Sequence, residues 1–427
     1  MVYAGYAESS ITPECGVPLM GNTREDYRST GVHDPLYCKA LALRSGERVL
    51  GILAVDLCMV PAFLSLMIRS RIPDDIPMMI CATHTHAGPS VLSLYGAPAA
   101  EHTELERIAR LCARTFQRAL QSLQPASLRF GEAECGGISF CRRLKGIDGS
   151  TVMNWEMPDP DSVERPWSIP DRRVRTLEAE TRSSRIILVH FPLHPAVLDY
   201  SNSLFSRDFP LYLDEGMRQI TPGTVRTMFI NGCCGDINHI DYTDPEAPRR
   251  GYAAAQRIGY ALALSAFEAV SKASPAQSDV IDFRCRSVNL KRFEVSQEMI
   301  DAAQASAQQG DISDGIPGSQ AVTMLSRMKQ MQHTPLTASA ALFRISDMPF
   351  FGLPGEVFSD LKQKLGRSIQ TDTFIAAELV NHAIGYIPTE EAFGQGGYET
   401  QAGASHIAPG EGERLMDTCR DMYQMLF

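Results

Sequence analysis

Short runs dense in apolar and β-branched residues alternate along the chain with longer stretches in which apolar positions recur every three or four residues. The runs at 36–43, 49–55, 77–82, 185–191 and 224–230 predict strands, and those at 338–345, 349–353 and 373–379 continue the series. Over 103–123, Leu105, Ile108, Cys112, Phe116, Leu120 and Leu123 recur at helical spacing, and Pro125 follows the expected end. A second helix is predicted over 252–271, with Ile258, Leu262, Ala266 and Ala269 on one face. The alternation points to the α/β class, a mixed β-sheet core with flanking helices, folded as one unit over 1–427.

Two regions break the pattern. Residues 146–180 are rich in Pro, Asp, Ser and Arg around Trp155 and Trp167, without a period, and are expected to be a loop excursion. Residues 295–336, rich in Gln, Ser and Met and weakly helical, are expected to be a helical insertion over the core. There is also an internal echo. Strand–strand–helix–strand runs up to Cys81 and again up to Leu379, each ending in a polar motif, which suggests two related halves around one site.

Composition narrows the function. A formal charge of −10 excludes nonspecific nucleic-acid binding, which needs a basic footprint. No window has the length and apolarity of a membrane span, so no stable membrane association is expected. The start, Met1 to Tyr6, lacks the basic and apolar regions of an export signal. Eleven scattered cysteines without a CxxC pair indicate neither a structural zinc module nor a disulfide framework, and reduced thiols in a cytoplasm are expected.

The chemistry gathers at the ends of the predicted strands. His84-Thr85-His86 follows one strand directly and runs into Ala87-Gly88-Pro89, a turn that displays polar side chains at a sheet edge. In an extended segment both imidazoles would face one side, one free to bind metal and the other to handle protons. Taken alone, the pair also fits two ordinary turn histidines. His194 stands at another strand end, held extended by Pro195, whereas His190 inside the apolar run reads as a core histidine. Glu356 follows an apolar run and Pro354-Gly355, where a first-turn glutamate favouring a helix dipole is the simpler explanation. Tyr386 and Tyr398 flank glycines and by spacing alone read as a core and a surface aromatic.

These stretches together resemble the neutral ceramidase family, the neutral/alkaline, non-lysosomal type. The matching pieces are Ile11-Thr12-Pro13, Gly31-Val32-His33-Asp34, Thr83 to Pro89, His194-Pro195, Asn231 to Asn238, Pro354 to Phe358, Gly385 to Thr389, and Gly397-Tyr398-Glu399, in family order over nearly the whole chain. The resemblance implies one zinc per chain, held by His84, His194, Glu356 and Tyr386, with His86, Arg142 and Tyr398 lining the reacting group. Cys141 stands where members of the family often have Asn, so Arg143 is the alternative to Arg142. Asp236 and Asn238 are expected to shape the site wall. The implied reaction is hydrolysis of a C–N amide or related acyl bond by metal-activated water.

Secreted members carry an export signal and a further C-terminal domain, neither expected here, and no amphipathic membrane-binding helix stands out. A small soluble substrate is therefore expected in place of membrane ceramide, with an ester or lactone of a sugar-derived compound as the alternative. Two other classes compete: a thiol hydrolase using Cys233 or Cys234, and a non-catalytic small-molecule-binding protein on the same scaffold.

Overall fold

The computed structural model describes residues 1–93, 98–309, 312–313, 316–371 and 373–427. Its strands and main helices fall into three units with the same wiring. The first holds β1 (Val2–Ser10), β2 (Tyr37–Ser45), β3 (Arg48–Val55), α1 (Ala62–Arg69), β4 (Met78–Ala82) and α2 (His102–Gln121). The second holds β5 (Gln124–Glu134), β6 (Arg173–Thr181), β7 (Arg185–Phe191), α3 (Phe209–Ile220), β8 (Val225–Asn231) and α4 (Gly251–Ser271). The third holds β9 (Ile281–Leu290), β10 (Leu336–Ile345), β11 (Met348–Gly352), α5 (Ser359–Ile369), β12 (Ile375–Ala377) and α6 (Glu411–Leu426).

In each unit the first three strands pair antiparallel in sequence, and a helix then crosses to a fourth, parallel strand. The first two units share one sheet in the order β8-β7-β6-β5-β1-β2-β3-β4, joined antiparallel at β1 and β5. The third unit forms its own sheet, β9-β10-β11-β12. The structure thus enlarges the expected pair of related halves to three units.

Burial explains why so many strands read as unbroken apolar runs. In β2, Cys38, Ala40 and Ala42 face helices, while Leu41 and Leu43 face the second sheet. Met228 and Ile230 of β8 likewise join Phe343 and Phe350 between the sheets, and Phe229 packs toward α3 and α4. Helices α1 and α2 cover one part of the large sheet, α3 and α4 the other, and α5 and α6 the far face of the third unit. The result is a helix–sheet–sheet–helix sandwich of mixed α/β class.

A close approach recurs in the first two units. A Cβ on Gly5 of β1 would stand 2.0 Å from the Ala119 carbonyl of α2, and one on Gly131 of β5 would stand 2.0 Å from the Ala269 carbonyl of α4. Gly131→Ala is expected to destabilise the fold by about 1–3 kcal/mol through overpacking. Thermal denaturation checks this, and an unchanged midpoint would mean that α4 moves off the sheet freely.

The expected strands and both expected helices are present within a few residues of their predicted ends. Strands β1, β5, β6 and β9 were not predicted. Within 146–180, Thr151–Met153 and Val163–Pro166 pair antiparallel with Arg143–Gly146 just ahead of it, and β6 begins at Arg173, so that stretch is irregular only in part. Between β9 and β10 lie helices Gln297–Gln309 and Gly318–Met331; residues 310–311 and 314–315 of the expected insertion lie outside the described residues.

Candidate metal centre

Each unit sends a chain reversal to one place above the ends of its strands. His84 follows β4, His194 follows β7 and Glu356 follows β11. The Glu356 carboxylate Oε2 lies 3.1 Å from His194 Nε2 and 3.5 Å from His84 Nε2. All three residues are buried. Ligands held at about 2.0–2.1 Å around a tetrahedral ion stand roughly 3.3 Å apart, so this donor set fits one ion of zinc size.

Two local features orient these side chains. His84 has φ +74°, a left-handed conformation rare outside glycine, and its Nδ1–H donates to the Cys58 carbonyl at 2.6 Å. That bond fixes the tautomer and leaves Nε2 as the atom free to meet an ion. Glu356 does not sit in a first helical turn as the sequence suggested. It forms a two-residue parallel bridge with Tyr386, and helix α5 begins only at Ser359. The segment Pro354-Gly355 is instead drawn down by Glu356 N–H, which donates to the Gly385 carbonyl at 3.0 Å.

The surroundings set the charges. Burial works to raise the Glu356 carboxyl, but His84 and His194 hold it well below the usual range. Burial, then the Arg142 guanidinium, pull His194 down to about 3, so its imidazole stays neutral. His86 is likewise pushed well below its ordinary value by burial, then by the neighbouring imidazoles. Asn22 donates its amide N–H to the Leu198 carbonyl and turns Oδ1 toward His86 Nδ1 at 3.3 Å. His86 therefore carries its proton on Nδ1 and offers Nε2, which lies 3.4 Å from His84 Nε2.

Arg142 comes in from the opposite side. Its Nε donates to Glu399 Oε1 at 2.6 Å and its NH2 to the Gly235 carbonyl at 2.7 Å, which leaves NH1 3.4 Å from His194 Nε2. Arg143 turns away, to Glu399 Oε2 at 3.0 Å and toward Gln395 and the Ala392 carbonyl. Of the two alternatives, Arg142 is the one at the triad. Tyr386 and Tyr398 pack edge to face at 5.7 Å, and Trp155 meets Tyr398 at 6.2 Å. Burial lifts the Tyr386 hydroxyl well above its ordinary range, with Arg142 acting against that rise.

These groups share one cavity of about 430 Å³. Asn238 lines it, bonded both ways to Asn154 at 2.7 Å. Asp236 is committed to Ser168 and Ser359. His190 is the core histidine the sequence suggested, its Nε2 donating to the Ala376 carbonyl. Cys233 and Cys234 are buried, and burial followed by Glu378 pushes both thiols well above their ordinary range, which disfavours the thiolate a thiol hydrolase needs.

Sequence reasoning did not single out Glu399, Asn22, Cys58 or Glu378. Glu378 accepts from the Cys234 thiol and from the Cys234 and Val357 backbone N–H groups, tying the Cys234 loop to the Glu356 segment, and the Cys234 sulfur lies 3.2 Å from His194 Nδ1. Only Glu399 had a legible signal, a carboxylate beside Tyr398 in a glycine-rich stretch.

No protein-family model matches the chain. Neutral ceramidase of Pseudomonas aeruginosa is 24% identical over 221 residues, which is 48% of this chain and 32% of that protein. The aligned stretch thus spans about a third of the relative's length. Among solved structures, neutral ceramidase from Pseudomonas aeruginosa superposes with a TM-score of 0.75 at 19% identity, over 99% of this chain and 74% of that one. A ceramidase complexed with C2 gives 0.73 at 18% identity, with the same coverage. The expected resemblance holds in architecture along essentially the whole chain, and the fold of this protein is that of neutral ceramidase.

Proposed function

We propose that this chain is a zinc-dependent hydrolase of a C–N amide or related acyl bond, acting as one catalytic unit on a small soluble substrate. The observation that carries the reading is the convergence of His84, His194 and Glu356 from three separate units, with His86 and Arg142 at the same point of one cavity. The ion would be held by those three residues, with the Tyr386 hydroxyl as a fourth donor. Bound there, zinc supplies Lewis acidity to a water and to the scissile carbonyl.

The chain's own groups supply the rest. His86 takes the proton of the attacking water at Nε2 and returns it to the leaving nitrogen. Its Nδ1–H bond to Asn22 keeps Nε2 available for both transfers. Arg142 NH1 and the Tyr398 hydroxyl stabilise the negative charge that develops on the carbonyl oxygen, a contribution of about 3 kcal/mol per donor. The buried ring of Tyr386, with half-buried Tyr398 packed edge to face on it, limits water around that charge.

A cavity of this volume suits a ligand of modest size, which supports a small substrate. No described helix is long and apolar enough to cross a membrane. Eleven unpaired cysteines favour a reducing compartment, and we place the reaction in the cytoplasm.

Elemental analysis is expected to find about one zinc per chain, and chelation is expected to abolish turnover of at least one member of a panel of acyl amides, esters and lactones. Zinc restores it. A folded protein that takes up no zinc after supplementation sinks the proposal, as does zinc-loaded protein inert toward the whole panel.

A further inference from the structure

The charges lining the cavity do not cancel. Its charged side chains are Arg142, Arg249, Arg250, Asp199 and Glu356. Glu356 is taken by His84 and His194, and Arg142 by Glu399. Arg250 NH1 reaches Asp199 Oδ2 at 3.1 Å. Arg249 is left with no carboxylate in ion-pair range among the described residues. Its carbonyl accepts from His239 Nε2 at 2.7 Å, which pins its backbone to the cavity wall while the side chain stays half-exposed.

A second cation stands beside the His86 end. Arg24 is 8% exposed; its NH2 donates to the His86 carbonyl at 3.2 Å, and its Nε and NH1 meet no partner. The carboxylate whose charge acts on it is again Asp199. Asp199 therefore answers to both Arg250 and Arg24, and Arg249 on the cavity wall has no carboxylate of its own among the described residues. Bulk charge does not explain the excess, because the chain as a whole carries −10. A buried guanidinium with unmet N–H groups is unfavourable unless an anion completes it. An apolar part of the wall is formed by Met20, Met59 and Leu92.

We infer that the cavity takes acyl compounds bearing an anionic group, a carboxylate or a phosphate, which Arg249 and the Arg24–Asp199–Arg250 cluster receive while the acyl chain lies along Met20, Met59 and Leu92. The inference rests on the hydrolase reading for the bond cleaved, and on the rim alone for the anion.

The test uses the zinc-supplemented full chain and hexanoyl amides of ω-amino acids of increasing spacer length, each beside its neutral carboxamide, with hexanoyl phosphoethanolamine as the phosphate arm. The best-fitting anion is expected to exceed its neutral counterpart about tenfold in kcat/KM, chiefly through KM. Arg249→Gln should bring that ratio toward one, Asp199→Asn should raise it, and added salt should lower it. Which arm wins distinguishes carboxylate from phosphate. No preference for any anion, or an Arg249→Gln loss equal for charged and neutral substrates, overturns the inference. If no amide is cleaved, calorimetry with the uncleavable ether analogues reads the rim by itself. Tighter binding of the anion that Arg249→Gln removes retains the site although the hydrolase reading has fallen; equal binding of both analogues overturns it.

Discussion

Glu356→Ala is expected to release the metal and to lower turnover by at least about 10³-fold, more than the loss of one oxyanion donor usually produces. Glu356 supplies the negative charge of the proposed donor set, and its carboxylate lies within 3.5 Å of the His84 and His194 imidazoles. Without it the donor set has lost its carboxylate, and His194, pulled down to about 3 by burial and Arg142, offers a neutral nitrogen and no negative charge to hold a dication. Glu356→Gln keeps the shape and removes the charge, and should lose most of the affinity as well. Zinc content after competition with a chelator, read beside circular dichroism, checks the expectation. Full zinc occupancy in both variants, with turnover within tenfold of wild type, would remove Glu356 from the ligand set.

The second large effect concerns Glu399, which is fully buried and joins Arg142 to Arg143. In the proposed mechanism it is a positioning residue. With Nε tied to Glu399 and NH2 to Gly235, the guanidinium of Arg142 has one direction left, toward the triad. Glu399→Gln is expected to lower kcat about 10²-fold with a small change in KM, because the donor is misaimed toward a charge present only in the transition state. It also leaves two buried guanidinium groups facing a neutral amide, a loss of about 3–5 kcal/mol in stability. Adding Arg143→Met removes one uncompensated cation and should recover part of the stability but none of the kcat. If kcat recovers together with the melting temperature, Glu399 serves the fold and not the reaction.

The sequence made some of this legible for physical reasons. Strands buried on both faces, such as β2, β3 and β8, appear as unbroken apolar runs and were found with little error. Strand β5 has one face on α4 and one half in solvent, with Glu132, Glu134 and Arg129 along it, so its apolar signal is diluted. Strand β6 carries Arg175 and Glu178 inward, where Arg175 pairs with Asp171 and Glu178 with Arg185. Paired buried charges look like surface in a hydropathy pattern. The echo joins the runs ending at Cys81 and Leu379, which are the first and third units; the second stays hidden because the small sheet at 143–166 interrupts its wiring.

The triad's members were legible because each follows an apolar run, a context local to the sequence. Their mutual distance was not, since it depends on how the strands of three units in two packed sheets lie against one another. Glu356 shows the limit. Its sequence context marks it as a candidate ligand, yet its backbone is a bridge to Tyr386, set by a pairing with a segment far along the chain. Asn22 and Cys58 left no trace, because their roles consist of a single hydrogen bond to an imidazole.

The three-unit wiring has a consequence for how the molecule comes apart. His84, His194 and Glu356 each belong to a different unit, so an ion at their centre is a cross-link among chain segments that share no local contacts in sequence. Its binding energy is then available only to the fully assembled state and is lost when any one unit peels away. Such an ion would merge what could be three separate melting events into a single cooperative one. In calorimetry the holoprotein should give one sharp endotherm and the metal-stripped protein a broader, divided one, with the third unit's sheet free to part from the shared sheet first.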